Sequence, residues 1–439
     1  MILRDPVHGL VAFEGQDEAL VLALLNTREV QRLRRVRQLG LTSLVFLGAE
    51  HSRFAHALGA AHVMTRLQER VKAQSADLPI ELQLTPERGR DALAAALLHD
   101  LGHGPYSHLF EEVIDGARPH EEWTVEVLLD PGTEVHQALA RFDPGMPARV
   151  AALVTGQSDV GWLSRAVSGT LDVDRCDYLL RDSHMTGVAY GIYDLDWLLR
   201  ALTFAELPFG GTASERWVLA IEGRKGLPPI EGFFLARHFM YQQVYHHKAT
   251  RAAECVVRAI FLRVATLVAE GRAPSPLPSA LAEAIAGSDQ KLSSYLELDD
   301  AMLSYCLAEW ARHAEPVLAD LAQRFRARRL PKTLPLPEDG SEALWTECLL
   351  RARDVAHEAG LDPDLHVFLD VAHDLPYEEP IEASNEGLWV TLRHRPLVRL
   401  GEVSFALEKL RNQSIVRPRL CFPDEIREAV VDALEGVLS

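Results

Sequence analysis

Up to about residue 330 the apolar positions recur at helical spacing. EALVLALL (18–25), GAAHVMTRLQERV (59–71), DALAAALLHDLG (91–102) and ATRAAECVVRAIFLRVATLVAEG (249–271) all predict helices of eight or more residues. DALAAALLH is apolar nearly all round, which predicts a buried helix. RWVLAIEG (216–223) has strand character and is expected to pair with LTFAELP (202–208) as a hairpin. Breakers fall at PSPLPS (274–279) and PKTLPLPEDG (331–340). Beyond the second, LHVFLDVA, GLWVTLR, PLVRL and RPRLCFP read as strands, with SEALWTECLLRARDVAHEAG as a helix among them. The expected fold is mainly α: a large helical domain over residues 1–330 and a smaller C-terminal α+β domain over 331–439.

Composition narrows the class. The chain has 439 residues with 48% hydrophobic content, and no apolar run approaches the roughly 18 residues needed to cross a bilayer. MILRDPVHGL lacks the apolar core of a signal peptide, so a cytoplasmic location is expected. The five cysteines are scattered and none forms a C-x-x-C pair, which argues against a zinc ribbon or a disulfide framework. Any metal must therefore be held by histidines and carboxylates. The net charge of −18 argues against non-specific binding of nucleic acid. Two basic clusters, Arg32, Arg34, Arg35, Arg37 and Arg324, Arg326, Arg328, Arg329, are expected to be mainly solvated faces.

Candidate chemistry concentrates in two histidine-bearing segments and one acidic one. The first runs from His51 to His56, and the second from His99-Asp100 through His103 to His108, followed by His120. An Asp at the end of a buried apolar helix is costly unless a cation compensates it. Gly102 and Gly104 make it doubtful that the helix reaches His103. A second His-Asp pair, His373-Asp374, has no histidine neighbours and is read as unrelated. The acidic segment holds Asp172, Asp174, Asp177 and Asp182 at near-helical spacing. Two histidines and two aspartates make a mixed nitrogen and oxygen donor set suited to Mn, Fe, Zn, Co or Ni. Such an ion polarises a phosphoryl oxygen and lowers the pKa of water, as phosphoester hydrolysis requires.

The motifs DPVHG, QRLRRVRQLG, HSRFAHALG, HDLGHGPYSH, DVDRCDYLLRD and YHHK resemble, in order and approximate spacing, the HD-domain deoxynucleoside triphosphate triphosphohydrolases. The resemblance is clear over residues 1–260. It implies a metal held by His56, His99, Asp100 and Asp174, with Mg as a further ion on the substrate phosphates. It places Arg53 and Arg175 at the phosphates. His103, His108 and His120 match histidines of phosphate contact or acid–base catalysis, with His108 as the acid for the departing 5′-oxygen. Tyr178 and Asp182 match the pair at the sugar, and Gln38 and Leu39 lie beside it. Arg237, Tyr245 and His246 are implied on the helix covering the nucleotide, where Tyr241 replaces a family histidine. His51 and His62 are read as packing residues. The implied reaction is attack of water on the α-phosphorus of a dNTP, giving a deoxynucleoside and triphosphate. The alternatives are an HD phosphodiesterase or nucleotidase acting on another phosphoester, and a dNTP-sensing module.

The metazoan relatives imply a homo-oligomer, dimer or tetramer, with nucleotide activators bound between subunits. Gln31 and Arg34 match their guanine site, but Asn26 stands where an Asp is expected. In the second activator site His247, Lys248 and Lys225 match, whereas Trp197 and Gln243 occupy positions of phosphate-binding arginines. The expectation is that GTP is not an obligatory activator.

Overall fold

The computed structural model describes residues 1–114, 116–287, 290–382 and 384–438. An N-terminal hairpin, β1 (Ile2–Asp5) with β2 (Gly9–Ala12), leads into helix α1 (Gly15–Leu25). The helical core is built on α2 (Arg53–Ser75) and α3 (Pro86–Leu98), which pack against each other. Every residue of α3 from Asp91 to Leu98 is buried, as its all-round apolar pattern predicts. Thr85 caps its start, accepting a hydrogen bond from the Arg88 amide, and Pro86 occupies its first turn.

Helix α3 stops at Leu98, so His99 closes it and His103 lies on the following loop. Packing enforces that turn. A Cβ on Gly102 would sit 1.9 Å from the His120 carbonyl oxygen, and one on Gly104 would sit 2.7 Å from the Phe110 ring. The loop runs into α4 (His108–Val113) and then α5 (His120–Leu129). The acidic segment forms α6 (Val173–Thr186), capped by Asp172 and closed by Gly187 at φ 78°. Helix α7 (Leu227–Met240) continues as a π-helical turn over Tyr241–Tyr245 before the long α8 (Lys248–Ala269).

The expected hairpin is present as β3 (Leu202–Glu206) with β4 (Trp217–Glu222). PKTLPLPEDG is not only a breaker. Its first part is β5 (Lys332–Pro335), an edge strand on β9 (Ile415–Phe422), where prolines are tolerated. Strand β9 also pairs with β6 (Phe368–Asp374), and these strands carry α9 (Glu342–Glu358) and α10 (Arg427–Leu438) over their own apolar cluster of Trp345, Cys348, Val367 and Leu420. The break expected at residue 331 is crossed, however. β7 (Trp389–Thr391) leaves this layer to pair in parallel with β4, and β8 (Val398–Arg399) extends the same sheet. Among the described residues, no helix is long and apolar enough to cross a membrane.

Candidate metal centre and active site

Helix α2 presents His56, the end of α3 presents His99 and Asp100, and the first turn of α6 presents Asp174. Four residues from three segments distant in sequence thus converge. His56 Nε2 lies 3.0 Å from Asp174 Oδ1, 3.2 Å from His99 Nε2 and 3.6 Å from Asp100 Oδ2, and His99 Nε2 lies 3.4 Å from both Asp100 Oδ1 and Asp174 Oδ1.

Hydrogen bonds decide whether these residues fit a metal. His99 Nδ1 faces the Ala96 carbonyl at 3.0 Å, and His56 Nδ1 faces the Asp177 carboxylate at 2.8 Å. Both acceptors require a donor, so both Nδ1 atoms carry hydrogen and both Nε2 atoms turn lone pairs inward. Two bare nitrogens and two carboxylates at this spacing repel unless a cation sits among them. Ligands about 2.1 Å from one ion stand roughly 3.0–3.4 Å apart, which matches His56, His99 and Asp174, with Asp100 somewhat wider at 3.6 Å from His56. Without an ion a proton takes that role. Burial opposes charge on His56, but hydrogen bonds to Asp174 and Asp177 outweigh it and raise its pKa to about 10. For Asp174, burial is outweighed by His56 and His99, which hold its carboxyl well below the usual range.

His99, Asp100 and Asp174 line a cavity of about 560 Å³, and His56 is buried behind them. Of the expected substrate residues, Gln38, Leu39, Arg53, Arg175, Tyr178, Asp182, Tyr241, Tyr245 and His246 line it, with His103, His108 and His120. Arg53 is buried, pairs with Asp100 and donates to Ser107 Oγ at 2.8 Å. Arg175 is held by the Asp172 carboxylate and the Gly169 carbonyl. Tyr245 donates to Asp182 Oδ2 at 2.9 Å, and the π-helical turn sets Tyr241 against Tyr245, ring centroids 4.9 Å apart.

Arg237 does not line this cavity. Its guanidinium donates to the Leu375 and Pro376 carbonyls and lies 3.6 Å from Asp374, and it borders a neighbouring chamber that shares Arg175. The second His-Asp pair is accounted for by the same contacts, since Asp374 also lies 3.5 Å from His238 Nδ1.

Other departures concern residues read as bland. His51 is more than packing, because its Nε2 lies 2.8 Å from Asp182 Oδ1 and holds that carboxylate. Arg32 is not on a solvated face. It is buried and donates to the carbonyls of Leu101, His103 and Leu298, fixing the loop that follows Asp100. Glu111 escaped the sequence reading altogether. Its Oε1 lies 3.0 Å from His120 Nδ1, 3.8 Å from His103 Nδ1 and 4.0 Å from His108 Nδ1. It lies at i+3 from His108, and only the helix that the structure shows over His108–Val113 makes that spacing a contact.

Residues 53–154, which hold three of the four converging side chains, match the HD domain model. YwfO, an uncharacterized protein of Bacillus subtilis, is 34% identical over 380 residues, covering 86% of this chain and 81% of that one. The deoxynucleoside triphosphate triphosphohydrolase SAMHD1 of Danio rerio is 28% identical over 300 residues, covering 60% of this chain but only 44% of that protein. Among solved structures, a phosphohydrolase from Bacteroides thetaiotaomicron superimposes with a TM-score of 0.78 at 26% identity, over 96% of this chain and 99% of that one. Its HD domain, its identity to YwfO across most of both chains and its likeness to the Bacteroides phosphohydrolase show that this chain belongs to the metal-dependent HD-domain phosphohydrolase family.

Proposed function

We propose that the protein hydrolyses deoxynucleoside triphosphates to a deoxynucleoside and inorganic triphosphate. The observation that carries this reading is the division of one cavity. Metal donors and cations line one part of it, and a Tyr178, Asp182 and Tyr245 group lines another. Likeness to SAMHD1 supports the substrate class.

His56, His99, Asp100 and Asp174 would hold a divalent transition ion, which supplies Lewis-acid polarisation of a phosphoryl oxygen and a lowered pKa for water. Arg53 and Arg175 attract the phosphates, and their ion pairs with Asp100 and Asp172 keep both guanidiniums aimed before substrate arrives. Asp182, with both oxygens already engaged by His51 and Tyr245, is a rigid acceptor for a sugar hydroxyl. Tyr178 and Tyr245 offer edge-to-face aromatic walls, ring centroids 6.2 Å apart, for the sugar and base. In the reaction a water oxygen bonds to the α-phosphorus and the bond to the 5′-oxygen breaks. His108, at the solvent-facing side of the histidine group, gives that oxygen its proton.

The test is incubation of metal-loaded protein with each of the four dNTPs, followed by chromatography. Triphosphate and deoxynucleoside are the expected products. Release of a monophosphate or of single phosphates would assign the site to a phosphodiesterase or nucleotidase, and binding without turnover would assign it to a sensor.

A further inference from the structure

The N-terminal hairpin lies outside the cavity, yet its turn reaches the back of His56. Asp5 Oδ1 accepts hydrogen bonds from the backbone amides of Val7 and His8, both at 2.9 Å, and Gly9 closes the turn at φ 73°, in the left-handed region. This turn fixes the direction of the His8 ring, whose Nε2 lies 2.7 Å from Asp177 Oδ1. Asp5 Oδ2 meanwhile accepts from Arg181 at 2.8 Å.

Asp177 is the centre of the arrangement and is wholly buried. Its Oδ1 faces His8 Nε2 and Arg181 Nη2 at 2.9 Å. Its Oδ2 faces His56 Nδ1 and Arg181 Nε, both at 2.8 Å. An ionised carboxylate has about four lone-pair sites, and here all four are taken. Every partner must therefore donate, including His56 Nδ1. Backbone space for the cluster comes from Gly59, one turn along α2 from His56. A Cβ there would lie 1.9 Å from Asp177 Oδ1 and 2.3 Å from the Arg181 guanidinium.

We infer that the hairpin is part of the metal centre: His8, and Asp5 through Arg181, position Asp177, which locks His56 with its Nδ1 protonated and its Nε2 aimed at the ion. Asp177, His8 and Arg181 are positioning residues, since none of them lines the cavity. Outer partners of this kind are generally worth 10–100-fold in metal affinity. The inference gives the DPVHG turn and the glycine of HALG a shared role that touches neither phosphate nor sugar. It rests on His56 being a metal ligand.

The test is titration of metal-free protein with Co2+ by calorimetry and by the visible spectrum of the bound ion, beside thermal unfolding of the metal-free form. His8→Ala and Asp177→Asn should each weaken Co2+ binding by roughly 10–100-fold and alter the spectrum. His8→Gln, which restores a donor to Asp177 Oδ1, should recover most of the affinity. Nitrogen-15 spectra of the histidines should show His56 protonated at Nδ1 in the Co2+-free diamagnetic or Zn2+ form, and that signature should be lost in Asp177→Asn. If Asp177→Asn does not fold, a folded His8→Ala decides the matter. Wild-type affinity and spectrum in folded His8→Ala would overturn the inference, as would a loss of thermal stability with no change in Co2+ binding. His99→Ala serves as the reference. If it too binds Co2+ normally, the ion site itself is misassigned; if it alone is impaired, only the role of the hairpin fails.

Discussion

The imidazoles of His103 and His120 lie face to face, with ring centroids 3.7 Å apart and planes 18° from parallel. Burial, together with the positive charges of Arg53 and His120, pushes His103 well below the ordinary histidine range. His103 is therefore neutral at pH 7, and the stack avoids the repulsion of two imidazolium rings. His108 stands edge-on to both rings at about 5 Å.

Glu111 Oε1 lies within 4.0 Å of all three histidines, so its charge is expected to shape the pH profile. Burial, Arg53 and His120 lower the His108 pKa, while Glu111 and Asp100 raise it. An acid acts below its pKa, so activity carried by His108 should fall as pH rises through a value under the ordinary 6.5. Glu111→Gln removes a raising influence and should move that limb to still lower pH, lowering kcat at pH 7 by no more than the roughly 100–10,000-fold that a general acid contributes. A pH–kcat profile of both proteins checks this, and superimposable profiles would remove Glu111 from the proton chemistry.

Removal of a metal donor should be more severe. His99→Ala or Asp100→Ala is expected to lose bound metal and activity together, with affinity down by more than the roughly 100-fold upper limit of an outer partner. Asp100→Ala carries a second cost, because it leaves the buried Arg53 without its carboxylate. Metal analysis of the purified variants is the measurement, and a full equivalent of metal in the double variant would refute the ligand assignment.

Metal binding should release a proton. In the metal-free protein the His56 pKa is raised to about 10, so at pH 7–8 its Nε2 is protonated and the ion must displace that proton. Affinity is then expected to rise at least about tenfold per pH unit through neutrality, with His56 supplying one released proton per ion. The same shift has a sign for stability. The His56 contribution to the metal-free fold is fully present below pH 6.5 and is lost as pH rises through about 10. Calorimetric titrations in buffers of different ionisation enthalpy count the proton directly.

Sugar discrimination should depend on the aromatic wall. Asp182 is immobilised by His51 and Tyr245, and if a sugar held there packs its 2′ carbon against Tyr178, a 2′-hydroxyl would clash or lose contacts. Deoxynucleotides are therefore expected to be turned over in preference to ribonucleotides, and Tyr178→Ala should weaken that preference. Equal kcat/KM for ATP and dATP in the wild type would sink the idea.

GTP should not be an obligatory activator. An Asp side chain can accept two hydrogen bonds from a guanine edge, whereas the Asn26 amide offers one acceptor oxygen. Gln31 is already occupied, donating to the Leu25 carbonyl at 2.6 Å and accepting from Arg34 at 2.9 Å. Trp197 and Lys225 line a separate cleft of about 840 Å³, and the indole donates to the Lys225 carbonyl. Basal dATP hydrolysis is expected without GTP. Parallel assays with and without GTP, beside gel filtration, would reveal strict dependence or GTP-driven tetramers if this expectation is wrong.

The helices around the centre were legible in the sequence because their signals are local. The apolar run of α3 and the spacing of Asp174, Asp177 and Asp182 depend only on residues within a turn or two. The four candidate metal ligands were grouped by the resemblance to HD-domain enzymes, since residue types alone left Asp172, Asp174, Asp177 and Asp182 as equal candidates beside the histidines. Three things were decided only by tertiary structure. Arg32 looked like a solvated charge because its neighbours in the chain are charged, but packing brings it to the carbonyls of Leu101 and His103, which can satisfy a buried guanidinium. Arg237 sits on the expected helix, yet nearby carbonyls and Asp374, more than 130 residues away, draw its side chain off the cavity. The β7–β8 ribbon crosses an apparent domain boundary because the edge of β4 offers unpaired backbone groups, and a strand edge carries no mark in its own sequence of which distant segment will pair with it. Local periodicity reports which face of an element is buried; it does not report what lies against that face, and at this centre the partners of Asp177, Asp182 and Arg53 are what turn a set of residues into a site.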